Sequence, residues 1–73
     1  MYEERYRKMG LNLCYYRKRN KMTQFKLAEV AGISSTYLGR IERGECAGTA
    51  LGIYWRLCDI LGIKFQDLLK NVE

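Results

Sequence analysis

The chain has no histidine and no proline, and its three cysteines form an odd set without a CxxC pair. Without histidine the commonest general base and metal ligand is missing. There is also no phosphate-cradling glycine loop and no acid pair at evident spacing. No enzyme activity, cofactor or metal site is therefore expected. Cys14, Cys46 and Cys58 fit neither a disulfide framework nor a zinc site, which points to a reducing, cytoplasmic setting. The simplest reading makes Cys14 and Cys58 small core residues and leaves Cys46 in a loop. Long apolar runs are absent too. The longest stretches fall far short of a bilayer span and are interrupted by charges, so no membrane partner is expected. Tyr2-Glu3-Glu4-Arg5 is polar where a secretion signal would need an apolar core. No repeat, low-complexity tract or linker rich in Pro or Ser divides the chain.

What is present favours helix. Leu, Ala, Lys, Arg and Glu are common, and 48% of the 73 residues are apolar, enough to exclude intrinsic disorder. The expectation is one domain over residues 1–73, small enough to need a dense core or a partner. Net charge is +5 and unevenly placed. Residues 1–44 hold ten Lys or Arg against four acids, a balance of +6, whereas residues 45–73 hold three against four, a balance of −1. One half offers a face for a polyanion and the other a face for packing or assembly.

The periodicity predicts five helices. The first runs from Glu3 to Asn20, with Tyr6, Met9, Leu13 and Tyr16 as one apolar stripe and a basic end. In that end, Lys18, Arg19 and Lys21 are either phosphate contacts or merely solubilising. Thr23 caps a second helix that stops before Gly32, and Ser34 caps a third that runs to Glu42 or Arg43, with Gly44 just past its end. After a loop over Glu45 to Gly48, Thr49 caps a fourth helix with Leu51, Tyr54, Leu57, Cys58 and Leu61 on one face. Gly62 closes it. A short fifth helix spans Phe65 to Asn71 and offers Phe65, Leu68 and Leu69.

The segment from Gln24 to Arg43 reads as two short helices crossing steeply around a tight turn. Ala28 is the small residue where the backbones approach, and Gly32 accepts the positive φ of the turn. Leu27, Ala31, Ile33, Leu38 and Ile41 then share a core, which leaves Ser35, Thr36, Gly39 and Arg40 facing outward. Short polar groups and one long cation suit a helix that enters a DNA major groove. A surface salt bridge is the plainer alternative for Arg40.

These residues resemble the phage repressor and Cro-like family of helix-turn-helix regulators, the Xre type. The resemblance covers roughly Leu13 to Leu69. It rests on Leu13 with Arg17, Thr23-Gln24, Leu27-Ala28, Gly32-Ile33-Ser34, Tyr37-Leu38, Ile41-Glu42-Arg43-Gly44, Leu61-Gly62-Ile63 and Leu68-Leu69. It implies an all-α, five-helix domain of the lambda-repressor-like type that binds double-stranded DNA and regulates transcription. Base contacts would come from Ser35, Thr36, Gly39 and Arg40, with Arg40 suited to a bidentate contact with guanine. Phosphate contacts would come from Thr23, Gln24, Arg43 and Tyr37, although Tyr37 could equally pack at the core edge, and Lys26 is a further phosphate candidate that the family pattern does not supply. Arg17 and Glu42 resemble the family's structural ion pair between the first and third helices.

Two departures stand out against that family. Lys26 occupies the position where a glutamate usually completes a capping box with Thr23, and a bound phosphate would compensate for the misplaced cation. The loop Glu45-Cys46-Ala47-Gly48 lacks the basic residues and proline of many relatives, so readout should rest on the third helix and on DNA shape.

One such domain reads only a few base pairs, so a palindromic operator bound by a homodimer is expected. The C-terminal half would form the dimer through Ile53, Trp55, Ile60, Ile63 and Phe65, unless these simply fill the core. Two other functions fit the same sequence: a protein-interaction module, such as an antirepressor or antitoxin, and a small RNA-binding protein.

Overall fold

The computed structural model describes residues 1–73 as five helices: α1 (Glu3–Arg19), α2 (Gln24–Ala31), α3 (Ser35–Glu42), α4 (Leu51–Leu61) and α5 (Phe65–Leu68). The all-helical expectation holds, and α2 and α3 begin where the sequence places their caps. Thr23 Oγ1 accepts from the Lys26 backbone amide and Ser34 Oγ from that of Tyr37, both at 3.0 Å. Gly32 ends α2 in the left-handed region at φ 75°.

Helix α1 packs on α3 and α5, α2 packs on α3 and α4, and α5 also touches α4. Their shared core is Leu13, Leu27, Ala28, Ala31, Leu38, Ile41, Tyr54, Leu57, Cys58, Leu61 and Leu68, all buried. Fully burying a side chain the size of leucine is worth about 1.5–3 kcal/mol, so the six buried leucines are the main source of stability. Burial pushes the Cys58 thiol up to about 11, so it stays protonated and unreactive at neutral pH.

Four expectations need correction. Thr49 does not cap α4. The residue before that helix is Ala50, and the Thr49 hydroxyl instead donates to the Cys46 carbonyl at 2.8 Å, stabilising the loop. Leu51, the first residue of α4, is exposed and does not join the buried face formed by Tyr54, Leu57, Cys58 and Leu61. Cys14 is only half-buried, its sulfur accepting from Arg17 Nη2 at 3.4 Å. Helix α5 stops at Leu68 rather than Asn71, since Asn12 Nδ2 takes the carbonyls of Leu68 and Lys70, each at 2.8 Å, and Asn71 turns to φ 64°.

Candidate nucleic-acid interface

Positioning of the third helix begins with one buried network. Arg17 on α1 donates from Nε to Glu42 Oε2 at 2.7 Å and from Nη2 to Glu42 Oε1 at 3.2 Å. Its Nη1 donates to the Met22 carbonyl at 2.8 Å, tying in the turn that precedes α2. Gln24, the first residue of α2, donates from Nε2 to Glu42 Oε1 at 2.8 Å. Side chains from α1 and α2 therefore converge on one carboxylate at the end of α3, and Arg17 ties in the turn between them. The Glu42 bonds raise the Arg17 guanidinium above its ordinary value. No buried side-chain polar atom is left without a partner. Such a network fixes register and orientation, because losing either charge would strand the other out of water.

Ala28 sits buried where α2 meets α3, and Gly32 makes the turn between them. A brace that sequence reasoning missed comes from α4: Arg56 Nη1 donates to the Ala31 carbonyl at 2.9 Å, closing the last turn of α2. An arginine on the exposed face of a helix carries no local signal for this role. Gly10 was missed as well. It is buried on α1 where that helix crosses the end of α3, leaving no room for a side chain. A glycine inside a strongly helical stretch costs roughly 1 kcal/mol relative to alanine, and that cost was the available clue.

With α3 held this way, its outer surface is defined. Thr36 and Arg40 are exposed, Ser35 is half-buried, and none of their side chains is hydrogen-bonded or ion-paired within the protein. Gly39 departs from its expected outward placement. It is buried because the Gln24 amide and Arg43 guanidinium lie over it, 3.5 Å and 3.2 Å from where a Cβ would stand. Tyr37 is half-buried and its hydroxyl donates to Thr49 Oγ1 at 3.4 Å, so it faces the loop before α4.

The residues expected at phosphates lie at the start of α2 and the end of α3, and the Gln24 and Arg43 side chains come together over Gly39. Thr23 and Gln24 flank the N-terminus of α2, and Lys26 lies one turn in, exposed and 3.4 Å from Glu29. The Lys26 amide is already taken by the Thr23 hydroxyl oxygen, and the ammonium is paired with Glu29 in an exposed bridge that an anion could replace. Arg43 ends α3 with its guanidinium on Glu45, which raises it above its ordinary value. Glu45 was not anticipated as a neighbour of this surface.

No helix is long and apolar enough to cross a membrane. No cluster of three or more His, Cys, Asp or Glu is placed to hold a metal ion.

The defining pattern of the helix-turn-helix family matches residues 15–68. The chain is similar to the restriction-modification controller protein C.AhdI from Aeromonas hydrophila, at 29% identity over 85% of this chain and 92% of that one, with a TM-score of 0.78. It is also similar to the clp gene regulator ClgR from C. glutamicum, at 26% identity over 93% of this chain and 87% of that one, with a TM-score of 0.83. No curated protein matches it in sequence. The chain belongs to the helix-turn-helix family, as a DNA-binding transcription regulator of the Xre, lambda-repressor-like type. The two structural neighbours are described as a controller and a gene regulator, not as enzymes.

Proposed function

We propose that the protein binds a palindromic duplex operator as a homodimer and reads it by laying α3 in the major groove. The observation that carries this reading is the outer face of α3. Thr36 and Arg40 project from a helix locked in place by Arg17, Gln24 and Glu42, and they have no partner within the protein. In this arrangement Arg40 pairs with a guanine edge, while Ser35 and Thr36 make shorter contacts to bases or a thymine methyl. Thr23, Gln24, Lys26 and Arg43 hold the phosphates. Gly39 keeps the helix surface low where the Gln24 and Arg43 side chains cross it.

A second copy would dock on the C-terminal half. Leu51 and Trp55 are one turn apart on α4 and exposed, and the Trp55 ring lies 4.6 Å from that of Phe65. The result is an apolar patch on the less charged half of the chain. Ile53, Ile60 and Ile63 are half-buried against the core. The protein's likeness to a restriction-modification controller and to a clp gene regulator supports a role in gene regulation. The three free thiols suit a reducing cytoplasm.

Selection from a pool of random duplexes at two salt concentrations tests the reading. The expected result is an enriched palindrome with half-sites about one helical turn apart, bound more weakly as salt rises. If nothing is enriched and binding stays weak at low salt, DNA reading is excluded. The Leu51–Trp55–Phe65 patch would then be the place to look for a protein partner.

A further inference from the structure

Glu45 lies in the loop that joins α3 to α4, beside the cations expected to meet DNA. Arg43 donates to it twice, from Nε to Oε2 at 2.9 Å and from Nη2 to Oε1 at 3.4 Å. The pair is open to water, with 58% of the Arg43 side chain and 51% of the Glu45 side chain exposed. It therefore contributes little to folding. The same guanidinium reaches back over Gly39 toward Gln24, so Arg43 stands between a carboxylate on one side and the proposed DNA face on the other.

A carboxylate and a phosphate offer a guanidinium the same fork of two oxygens. Resting on the DNA-binding reading above, we propose that Glu45 is an internal competitor for phosphate: it occupies Arg43 in the free protein and must be displaced when the duplex binds. Three observations support this. The Arg43 hydrogen bonds hold the Glu45 carboxyl below its ordinary value, and Arg40 acts on it in the same direction, so the acid is charged at neutral pH and lies in the field of both arginines. The loop over residues 45–50 contains no Lys or Arg to offset it. The exposure of the pair makes the latch weak, as displacement by a phosphate requires.

Displacement does not remove the acid from the site. A tethered carboxylate two residues from Arg43 continues to repel the DNA backbone, so competition and repulsion act in the same direction. Glu45 thereby lowers affinity for any duplex and limits how tightly the basic half holds non-specific DNA.

The test measures binding of a selected duplex and a random duplex by fluorescence anisotropy over a range of salt. The proteins are the wild type, Glu45→Gln, Arg43→Gln and the double variant. Glu45→Gln keeps the shape of the side chain and removes its charge, and at an exposed loop position its melting temperature should match the wild type. The expected result is binding tighter by roughly three- to fivefold on both duplexes, the scale of one exposed ion pair. That gain should shrink in the Arg43→Gln background, because the competitor no longer has anything to compete for. Unchanged affinity in Glu45→Gln, or an equal gain with and without Arg43, overturns the proposal while leaving DNA binding intact. Absence of duplex binding by the wild type and Glu45→Gln at every salt concentration overturns the DNA reading and this inference together.

Discussion

Gly10 of α1 rests directly against the Glu42 carbonyl at the end of α3, and the Ile41 carbonyl lies 2.6 Å from where a Cβ would stand. Both obstacles are backbone atoms of the helix proposed to read DNA, so neither can move aside as a flexible side chain would. Gly10→Ala is expected to destabilise the protein by about 2–3 kcal/mol despite its better helix propensity, the scale of overpacking a dense core. A urea melt checks this. A variant as stable as the wild type would mean that α1 can move away from α3 at little cost.

The Arg17–Glu42 pair predicts an asymmetry between variants. Glu42→Ala leaves a buried guanidinium without its anion and frees Gln24, so a loss of about 3–5 kcal/mol is expected. Replacing both charges, as in Arg17→Met with Glu42→Leu, should recover much of that stability. The double variant should still bind DNA less well, because Gln24 is no longer held. Urea melts and anisotropy on the same samples separate the two effects.

Arg40→Ala should cost about 1–3 kcal/mol on the selected operator and relax preference at one base pair per half-site. Lys26→Ala should instead weaken every duplex alike and reduce the slope of log affinity against log salt by about 0.9. Operator titrations with single-base variants at several salt concentrations distinguish these behaviours. If the two substitutions behave alike, the division between base and phosphate contacts is wrong.

Trp55→Glu places a charge in the middle of the α4–α5 patch. Sedimentation is expected to show a monomer, and affinity for a palindrome should fall to that for a single half-site. Because Trp55 is 49% exposed, the melting temperature of the monomer should change little. A wild type that stays monomeric at high concentration, with and without DNA, would remove the dimer from the proposal.

Alkaline pH should weaken the fold through Cys58. Its thiol titrates near 9.0 when solvated and near 11 when buried, so between those values the unfolded chain loses a proton that the folded chain keeps. Stability from this group is complete below pH 9 and is lost as pH rises through 11. Each pH unit in that window costs about 1.4 kcal/mol, so the full change is on the order of 2–3 kcal/mol. Burial also raises the Tyr54 hydroxyl, which adds to the same trend. Urea melts at pH 8 and pH 10.5 should show the loss, and Cys58→Ala should reduce it.

Local chemistry explains how much of this fold could be read from sequence. Thr23, Ser34 and Gly32 act within a few residues of themselves, so their spacing alone placed α2, α3 and the turn between them. Leu13, Leu27, Leu38 and Leu57 were legible as core because helical periodicity puts each on the apolar face of its own helix. Thr49 misled because the same hydroxyl can cap a helix or bond to a loop carbonyl, and the path of the preceding loop decides. The contacts of Asn12 with Leu68 and of Arg56 with Ala31 join residues far apart in sequence, for which no periodicity prepares. The Arg43–Glu45 pair was hidden for a related reason. Residues two apart do not meet on a helix, and these meet only because the chain leaves the helix between them.

The free side chains of Thr36 and Arg40 have a consequence for how such a protein changes over time. Leu38 and Ile41 on the same helix secure the fold, whereas Thr36 and Arg40 are bonded to nothing inside it. Exchanging the exposed pair should leave the folding equilibrium nearly untouched. A new target sequence is then reachable through single substitutions that each yield a stable protein, and a duplicated copy could diverge in its preference without first acquiring a compensating change elsewhere.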